Sequence, residues 1–380
     1  MKRKKRILII YNKLVGGGAE RVLIDYLRHI DYDRYEVDLA LVEKGGILLP
    51  QVPRQVNVIE LWSKRSLHYF IAVKFSLHLH CNILFKQRLN SRRLRTDYDA
   101  EIAFLEGLPA KLLALRKSKA KKLAWIHVDL STFHDSANFF YNSSEERRAY
   151  GKMDRLIAVS EDCRNGFAKC FPNLKNKTDV IYNPIDIQEI LKKGNEPLPE
   201  NLRTVASDKK TIVVVARVHH QKNPERLLQA AKIARESAEP LKFIWIGDGE
   251  LFDHVDKRKK QLGLDEYVEF IGYKENPYPF IKNADILLLP SDAEGFGLVL
   301  CEAMALEVPV VSTPTAGPVE IIGDNEYGLL TGFDPASIVE SIWTLTNDSR
   351  LREEIIEKGR KRVLDYSVDK AMVKFYELID

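Results

Sequence analysis

The sequence predicts an α/β protein made of two doubly wound parallel-sheet domains. Apolar runs such as Ile7-Leu8-Ile9-Ile10 and Ile212-Val213-Val214-Val215 alternate with helix-length segments along the whole chain. Strands buried on both faces read as unbroken runs of this kind, whereas half-exposed strands alternate polar and apolar residues. At 380 residues the chain is long enough for two cores. Each apolar run also ends in small or polar residues, so the carboxyl ends of the strands line a crevice suited to ligands.

In chain order, strand Ile7–Ile10 leads through Tyr11-Asn12-Lys13-Leu14-Val15-Gly16-Gly17-Gly18-Ala19-Glu20-Arg21 into a helix ending near His29. Tyr35–Val42 and Val56–Leu61 are the next strands. Ala100–Phe104 follows, then a turn at Glu106-Gly107 and a helix from about Pro109. Leu123–Val128, Arg155–Val159 and Val180–Ile181 complete the first half, which closes at Asn183-Pro184-Ile185-Asp186. Residues 188–210 lose periodicity and contain Gly194, Pro197 and Pro199, the composition of a linker. The expected domains are therefore 1–187 and 211–365. The second opens on Thr211–Ala216 and continues with strands at Leu241–Ile246, Val268–Ile271, Ala284–Leu289, Pro309–Ser312 and Gly328–Leu330.

Apolar content of 45% and charged content of 29% are those of an ordinary soluble globular protein. The four cysteines show no CxxC spacing and sit in apolar contexts, as reduced core thiols of a cytoplasmic protein do. Lys2 to Arg6 are basic, but Ile7–Ile10 is too short for a signal-peptide core. Residues 1–190 hold 33 Lys+Arg against 22 Asp+Glu, a net of +11, so the remainder carries −7 of the overall +4. That asymmetry points the first half at an anionic partner. Its sharpest cluster runs from Lys64 to Arg95, with Lys74, Lys86, Arg88, Arg92 and Arg93 among apolar residues and no acid between. Such a stretch is too charged to span a bilayer but suits an anionic membrane surface; the alternative is a helix pair with a solvated basic face. No nucleic-acid-binding motif accompanies it.

Four constellations carry chemistry. Gly16-Gly17-Gly18 after the first strand lets backbone approach a ligand. It is not a dinucleotide fingerprint, because the third glycine would fall on Arg21. Arg217 and Lys222 flank the exit of the strongest strand just before Pro224, a good first residue for a helix, and form a candidate diphosphate clamp. Glu294-Gly295-Phe296-Gly297-Leu298 links a buried strand to a helix carrying Glu302, with an acid on each side of a phosphate-type turn. Eight helical steps span up to about 12 Å, too far for the ~5 Å carboxyl pair of a retaining hydrolase. The wider spacing suits one acid at a sugar and the other at a ribose. His127 closes the strand Leu123–Ile126, placed for hydrogen bonding or proton work. No HExxH and no paired Cys/His set is present, so no protein-held metal and no cofactor is expected.

These residues together resemble the retaining glycosyltransferases of family 4, whose GT-B fold sets two Rossmann-like domains facing across a cleft. The Glu294–Glu302 element, the Arg217/Lys222 clamp and the Gly16–Arg21 turn match that family in order and spacing. Ile246-Gly247-Asp248-Gly249, the Asn183–Asp186 exit and the strand Pro309–Ser312 match as well, so the likeness covers essentially the whole chain. The resemblance implies a nucleotide-sugar donor, with UDP favoured, in the C-terminal domain and an acceptor in the N-terminal one. It implies that Arg217 and Lys222 neutralise the departing diphosphate and that backbone at Gly295, Phe296, Gly297 and Leu298 meets phosphates and sugar. Glu294 would read sugar hydroxyls, Glu302 the ribose, and Gly272-Tyr273 the base, with Gly247 beside them. His127 would contact the sugar near the reacting carbon, and Gly17-Gly18 would approach the diphosphate. Transfer would retain anomeric configuration, a donor phosphate oxygen taking the acceptor proton. A final helix, about 366–380, would return to the first domain.

Two departures from the family pattern stand out: Val215-Ala216 precedes the clamp where glycine is more usual, and the acceptor loops are divergent. The expected function is transfer of a hexose or N-acetylhexosamine to a lipid-linked or polysaccharide acceptor. It would act in cell-surface glycan assembly, in the cytoplasm and peripherally at the inner face of the plasma membrane. A non-catalytic nucleotide-sugar scaffold, or a nucleotide-sugar epimerase or hydrolase, is the alternative.

Overall fold

In the computed structural model, which describes residues 3–63, 67–91, 93–198, 209–237 and 241–380, Ile7–Ile10 form the buried centre of strand β1 (Lys5–Tyr11). Burial of each such side chain contributes about 1.5–3 kcal/mol, enough for the run to fix its strand at the middle of a layer. It is joined by β2 (Tyr35–Leu41), β3 (Asn57–Glu60), β4 (Ala100–Ala103), β5 (Lys121–Ile126), β6 (Arg155–Ala158) and β7 (Thr178–Val180). The seven strands run parallel in the order β3-β2-β1-β4-β5-β6-β7. The order reverses at β1. Because crossovers between parallel strands are right-handed, the chain leaves β1 and β4 towards opposite faces and opens a crevice beyond their carboxyl ends.

The second sheet repeats this plan. Strands β8 (Lys210–Val215), β9 (Leu241–Ile246), β10 (Val268–Phe270), β11 (Ile286–Leu289), β12 (Val310–Ser312) and β13 (Leu329–Leu330) lie in the order β10-β9-β8-β11-β12-β13, all parallel. Here the reversal falls between β8 and β11. Phe243, Trp245, Ile212, Val214 and Leu288 fill the core beneath the helices Pro224–Arg235 and Pro335–Asn347. The chain divides into two compact units, Met1–Pro184 with Val368–Asp380, and Ile185–Ser367.

The helix Val368–Ile379 belongs to the first unit for packing reasons. The Phe375 ring lies 5.1 Å from Tyr26, and Tyr376 stacks on Tyr35 at 5.4 Å. Lys5 and Arg34 also reach the Asp380 carboxylate at 3.0 and 2.7 Å, but these are exposed pairs of small worth. The aromatic contacts hold the helix.

Part of the segment expected as a linker is ordered differently. Asp186 Oδ1 accepts the Glu189 N–H at 3.0 Å and starts a helix, Ile187–Gly194, within the second unit. Eight residues are too few for periodicity to announce a helix. Residues 199–208 of the expected linker lie outside the described residues.

The basic stretch folds as part of the first unit. It forms helices Leu67–His78 and Ile83–Leu89. Lys64, Arg65 and Arg92 lie outside the described residues. Arg88 bonds the Leu61 carbonyl, Arg93 the Glu60 carbonyl, and Arg95 the Glu36 carboxylate at 2.8 Å. Lys74 and Lys86 stay exposed, beside exposed Leu67, Phe70, Phe75, Leu79 and Ile83. Three of the five described cations of the stretch are therefore bonded within their own unit, and among the described residues its outward surface is more apolar than basic. Among the described residues no helix is long and apolar enough to cross a membrane.

One buried ion pair seats these helices on the sheet. Arg116 Nη2 lies 2.7 Å from Glu101 Oε1 on β4, with side-chain exposures of 2% and 0%. The same guanidinium donates to the carbonyls of Leu89 and Arg95 at 2.7 and 2.9 Å. Removing one partner strands a buried charge, at a cost of about 3–5 kcal/mol. Arg116→Met is expected to lower urea-unfolding stability by that amount; a change below about 1 kcal/mol would show that the pair does not seat them.

Candidate functional site

The most elaborate cluster of the second unit sits where β8 and β11 release the chain. After β8, Val218 is buried, Arg217 points outward, and a short 3₁₀ turn, His220–Lys222, leads to Asn223. Asn223 adopts φ +47° and caps the helix Pro224–Arg235, its Oδ1 accepting the Arg226 N–H at 3.0 Å. This loop is laced to the turn after β11. The Asp292 N–H donates to the Gln221 carbonyl at 2.8 Å, and Gln221 Nε2 to the Ala293 carbonyl at 2.8 Å. Arg226 binds the Pro290 carbonyl and the Asp292 carboxylate, both at 2.7 Å. Lys222 Nζ donates to Glu294 Oε1 at 2.5 Å, and Ser291 Oγ donates to the same oxygen at 2.6 Å. Two residues that the sequence assigned to different parts of a ligand are thus bonded to each other.

The turn continues through Gly295 and buried Phe296 to Gly297, whose φ of +92° suits glycine and which caps the helix Leu298–Ala305 without any side chain. The first N–H groups of that helix therefore have no acceptor in a cap side chain. A second helix, Ala316–Ile322, begins against the same turn: the Gly317 N–H donates to the Glu294 carbonyl at 3.3 Å. Any Cβ on Gly317 would lie 2.2 Å from the Phe296 carbonyl oxygen, so this close approach needs glycine. Glu302 is 6% exposed and accepts from the Tyr278 hydroxyl at 3.3 Å, which is not the environment of a solvated helix acid. At the neighbouring strand ends, the Gly247 N–H donates to the Gly272 carbonyl at 3.0 Å, and Tyr273 beyond it is exposed. The Val218 N–H meets the Asp248 carbonyl at 3.0 Å, tying these loops to the one after β8. Arg217 has no hydrogen-bond or ion-pair partner among the described residues and remains available to an anion.

In the first unit, His127 follows β5 and is buried. Desolvation lowers its pKa from 6.5 to about 4, with a hydrogen bond to the Phe104 backbone offsetting part of the effect. The ring is neutral at physiological pH, and its Nε2 has no partner among the described residues. The His127 N–H donates to Glu106 Oε2 at 2.9 Å. Burial raises the Glu106 pKa, and the backbone bonds to His127 and to its own N–H oppose the rise. Burial, then the nearby Glu20 and Glu106 carboxylates, holds Tyr11 protonated well above its ordinary range. Gly17 caps the helix Gly18–His29, and a Cβ there would lie 2.4 Å from Glu20 Oε2, so the Glu20 carboxylate folds back over it. Gly18 is exposed.

Sequence reasoning passed over Ser291, Gln221, Asp292 and Glu106. Ser291 and Glu294 are three residues apart directly after a strand end, a spacing that could have flagged the pair. Gln221 and Asp292 lie far apart in sequence and bond through backbone atoms, which leaves no side-chain pattern to read. Among the described residues, no group of three or more His, Cys, Asp or Glu side chains is placed to hold a metal ion.

Two family models match, Glycosyltransferase Family 4 over residues 16–189 and Glycosyl transferases group 1 over residues 201–362. The chain is 31% identical over 382 residues, 98% of each chain, to the GalNAc-alpha-(1->4)-GalNAc-alpha-(1->3)-diNAcBac-PP-undecaprenol alpha-1,4-N-acetyl-D-galactosaminyltransferase of Campylobacter jejuni. It is 27% identical over 365 residues, 93% of each chain, to the N-acetylgalactosamine-N,N'-diacetylbacillosaminyl-diphospho-undecaprenol 4-alpha-N-acetylgalactosaminyltransferase of the same organism. Among solved structures it is similar to Anabaena HepE in complex with UDP-glucose, with a TM-score of 0.79, 21% identity and 98% of each chain covered. The fold is the GT-B class, with two Rossmann-like parallel-sheet domains. The chain belongs to the family 4 glycosyltransferases.

The depressed His127 pKa has a consequence for stability. The unfolded chain takes up a proton near pH 6.5 that the folded chain resists until about pH 4, so stability is complete above 6.5 and falls as pH drops through that window. The difference of about 2.5 units corresponds to about 3 kcal/mol. In denaturant titrations between pH 7.5 and 4, His127→Gln is expected to lose less stability than the wild type by up to that amount. Parallel curves would place His127 in a wetter setting.

Proposed function

We propose that this chain transfers a hexosyl or N-acetylhexosaminyl group, with retention of configuration, from a UDP-sugar to a lipid-linked or polysaccharide acceptor during cell-surface glycan assembly. The observation that carries the reading is the Ser291–Glu294–Lys222 cluster beside the exposed Arg217, set at the reversal point of the second sheet. Both full-length relatives are named for acting on diphospho-undecaprenol-linked sugars, and the HepE structure holds UDP-glucose, which supports the substrate classes.

The chemistry follows from charge. Departure of UDP puts negative charge on the diphosphate, and Arg217, Lys222 and the N–H groups at Gly297–Leu298 stabilise it. As the phosphate draws on Lys222, Glu294 is released to accept from sugar hydroxyls, with Ser291 holding its orientation. Glu302 accepts from the ribose, and Gly247, Gly272 and Tyr273 border the base. Attack from the face the diphosphate leaves lets one of its oxygens take the acceptor proton, so neither a base from the protein nor a metal is required. In the first unit, Gly17 and Gly18 give backbone access to an anion. Neutral His127 accepts a hydrogen bond from a sugar hydroxyl at Nε2, which provides the missing donor for that buried atom.

Loss of a preorganised charge of this kind typically costs 10²–10³-fold in kcat. Arg217→Ala and Glu294→Ala are each expected to reduce UDP release from UDP-sugars by about 100-fold or more. Unimpaired turnover in both would sink the mechanism, and turnover with no acceptor present would instead indicate a hydrolase or epimerase.

The reading also places the enzyme peripherally on the cytoplasmic face of the membrane, through the surface bearing Leu67, Phe75, Leu79, Lys74 and Lys86. Each lysine near an anionic surface contributes about 1 kcal/mol. Lys74→Glu with Lys86→Glu should weaken co-sedimentation with phosphatidylglycerol vesicles at least 10-fold at low salt. Unchanged binding would remove the membrane assignment.

A further inference from the structure

After β12 the chain reads Thr313-Pro314-Thr315-Ala316-Gly317-Pro318-Val319, without a charged residue. This loop packs on the Ser291–Glu294 turn at two points. Thr313 Oγ1 donates to the Ser291 carbonyl at 2.5 Å, and the Gly317 N–H donates to the Glu294 carbonyl at 3.3 Å. Thr315 lies between them in the chain, its own N–H turned back to the Thr313 carbonyl at 2.8 Å. The Thr315 carbonyl accepts the Val319 N–H at 3.0 Å and so opens the helix Ala316–Ile322.

A threonine in this place ordinarily caps its helix, the hydroxyl accepting from the second or third helical N–H. Here neither is available. The third helical residue is Pro318, which has no N–H, and the second is Gly317, whose N–H is spent on Glu294. The Thr315 hydroxyl therefore makes no capping bond. Thr315 is 7% exposed, and its Oγ1 is buried with no hydrogen-bond partner among the described residues. Valine has nearly the same shape and would occupy the place without stranding a polar atom. A hydroxyl here calls for a partner from outside the chain.

Charge indicates which partner. The loop after β8 brings Arg217 and Lys222 to one side of the Glu294 turn, and the loop after β12 forms its other side. Phosphates are drawn to the cations, which leaves an uncharged polar group to meet the hydroxyl. We propose that Thr315 is a specificity-determining residue of the donor site, its hydroxyl bonding a hydroxyl or acetamido substituent of the transferred sugar. The inference rests on the reading of Glu294 as an acceptor for sugar hydroxyls and adds a neutral contact beside it. Sugars with a polar group at that position are favoured, because a sugar lacking one leaves Thr315 unpaired.

The test is calorimetric titration of the full chain with UDP, UDP-glucose, UDP-galactose, UDP-N-acetylglucosamine and UDP-N-acetylgalactosamine. It compares the wild type with Thr315→Val and Thr331→Val. Thr331 is the control: its Oγ1 is also buried without a partner among the described residues, but it follows β13, one strand farther from β11 than β12. Thr315→Val is expected to weaken the UDP-sugar that the wild type prefers by about 5-fold or more, with UDP affinity within about 2-fold. Its unfolding temperature should be unchanged or raised, since a stranded hydroxyl has been removed. Thr331→Val should leave both affinities as they are. Equal weakening of UDP and UDP-sugar in Thr315→Val, or the same loss in Thr331→Val, would overturn the proposal. Binding of UDP-sugars that ignores Thr315→Val refutes the Thr315 assignment alone; a wild type that binds UDP but no UDP-sugar refutes the proposed donor class and this assignment with it.

Discussion

The candidate donor site depends on one constraint, the reversal of strand order between β8 and β11. Two parallel neighbours send their chains to opposite faces, so the space beyond their ends cannot be filled by either crossover. The loops released there are kept apart by the sheet and yet joined by specific bonds. Gln221, Asn223 and Arg226 on one side hold Pro290, Asp292 and Ala293 on the other, through backbone carbonyls and the Asp292 carboxylate. Lys222 and Glu294 are carried into contact on that frame. Their pairing keeps two charges satisfied in a half-buried place, where an isolated ammonium or carboxylate would be costly.

A pair of this kind is also a reserve of recognition. Glu294 accepts from Ser291 and Lys222 on a single oxygen, which leaves its other oxygen as further acceptor capacity. In the proposed transfer, Lys222 would gain more from a diphosphate than from one carboxylate, because charge would accumulate on the diphosphate as the bond to sugar breaks. Binding differentially to that developing charge is what lowers a barrier. The first unit handles its polar groups in another way. Burial keeps His127 neutral, and Glu106 is held by backbone N–H groups rather than by a cation. Neutral acceptors suit uncharged hydroxyls, as ionic groups suit phosphates.

Much of this was legible in the sequence, for physical reasons. Parallel strands buried on both faces are mostly apolar, so Ile7–Ile10, Ile212–Val215 and Ile286–Leu289 announced both sheets. Gly297 was readable because a left-handed turn before a helix favours that residue, and Arg217 because nothing in a strand exit otherwise asks for a cation. The bonds of Gln221 and Asp292 were not readable, since they join backbone groups 71 positions apart. The Lys222–Glu294 contact was missed because each residue had a plausible ligand of its own. Counting the cations of the basic stretch likewise said nothing of the carbonyls and carboxylates that Arg88, Arg93 and Arg95 would find once folded. The helix at Ile187–Gly194 hid in a stretch too short to show a period.

The central claim is that nucleotide-sugar recognition is assembled from the loops after β8 and β11. Hydrogen exchange of the full chain with and without UDP addresses it residue by residue. Slower exchange confined to residues 217–223, 272–278 and 294–302, with the Glu294–Gly297 amides most affected, is the expected result. Protection by UDP elsewhere, with these segments unchanged, would contradict it.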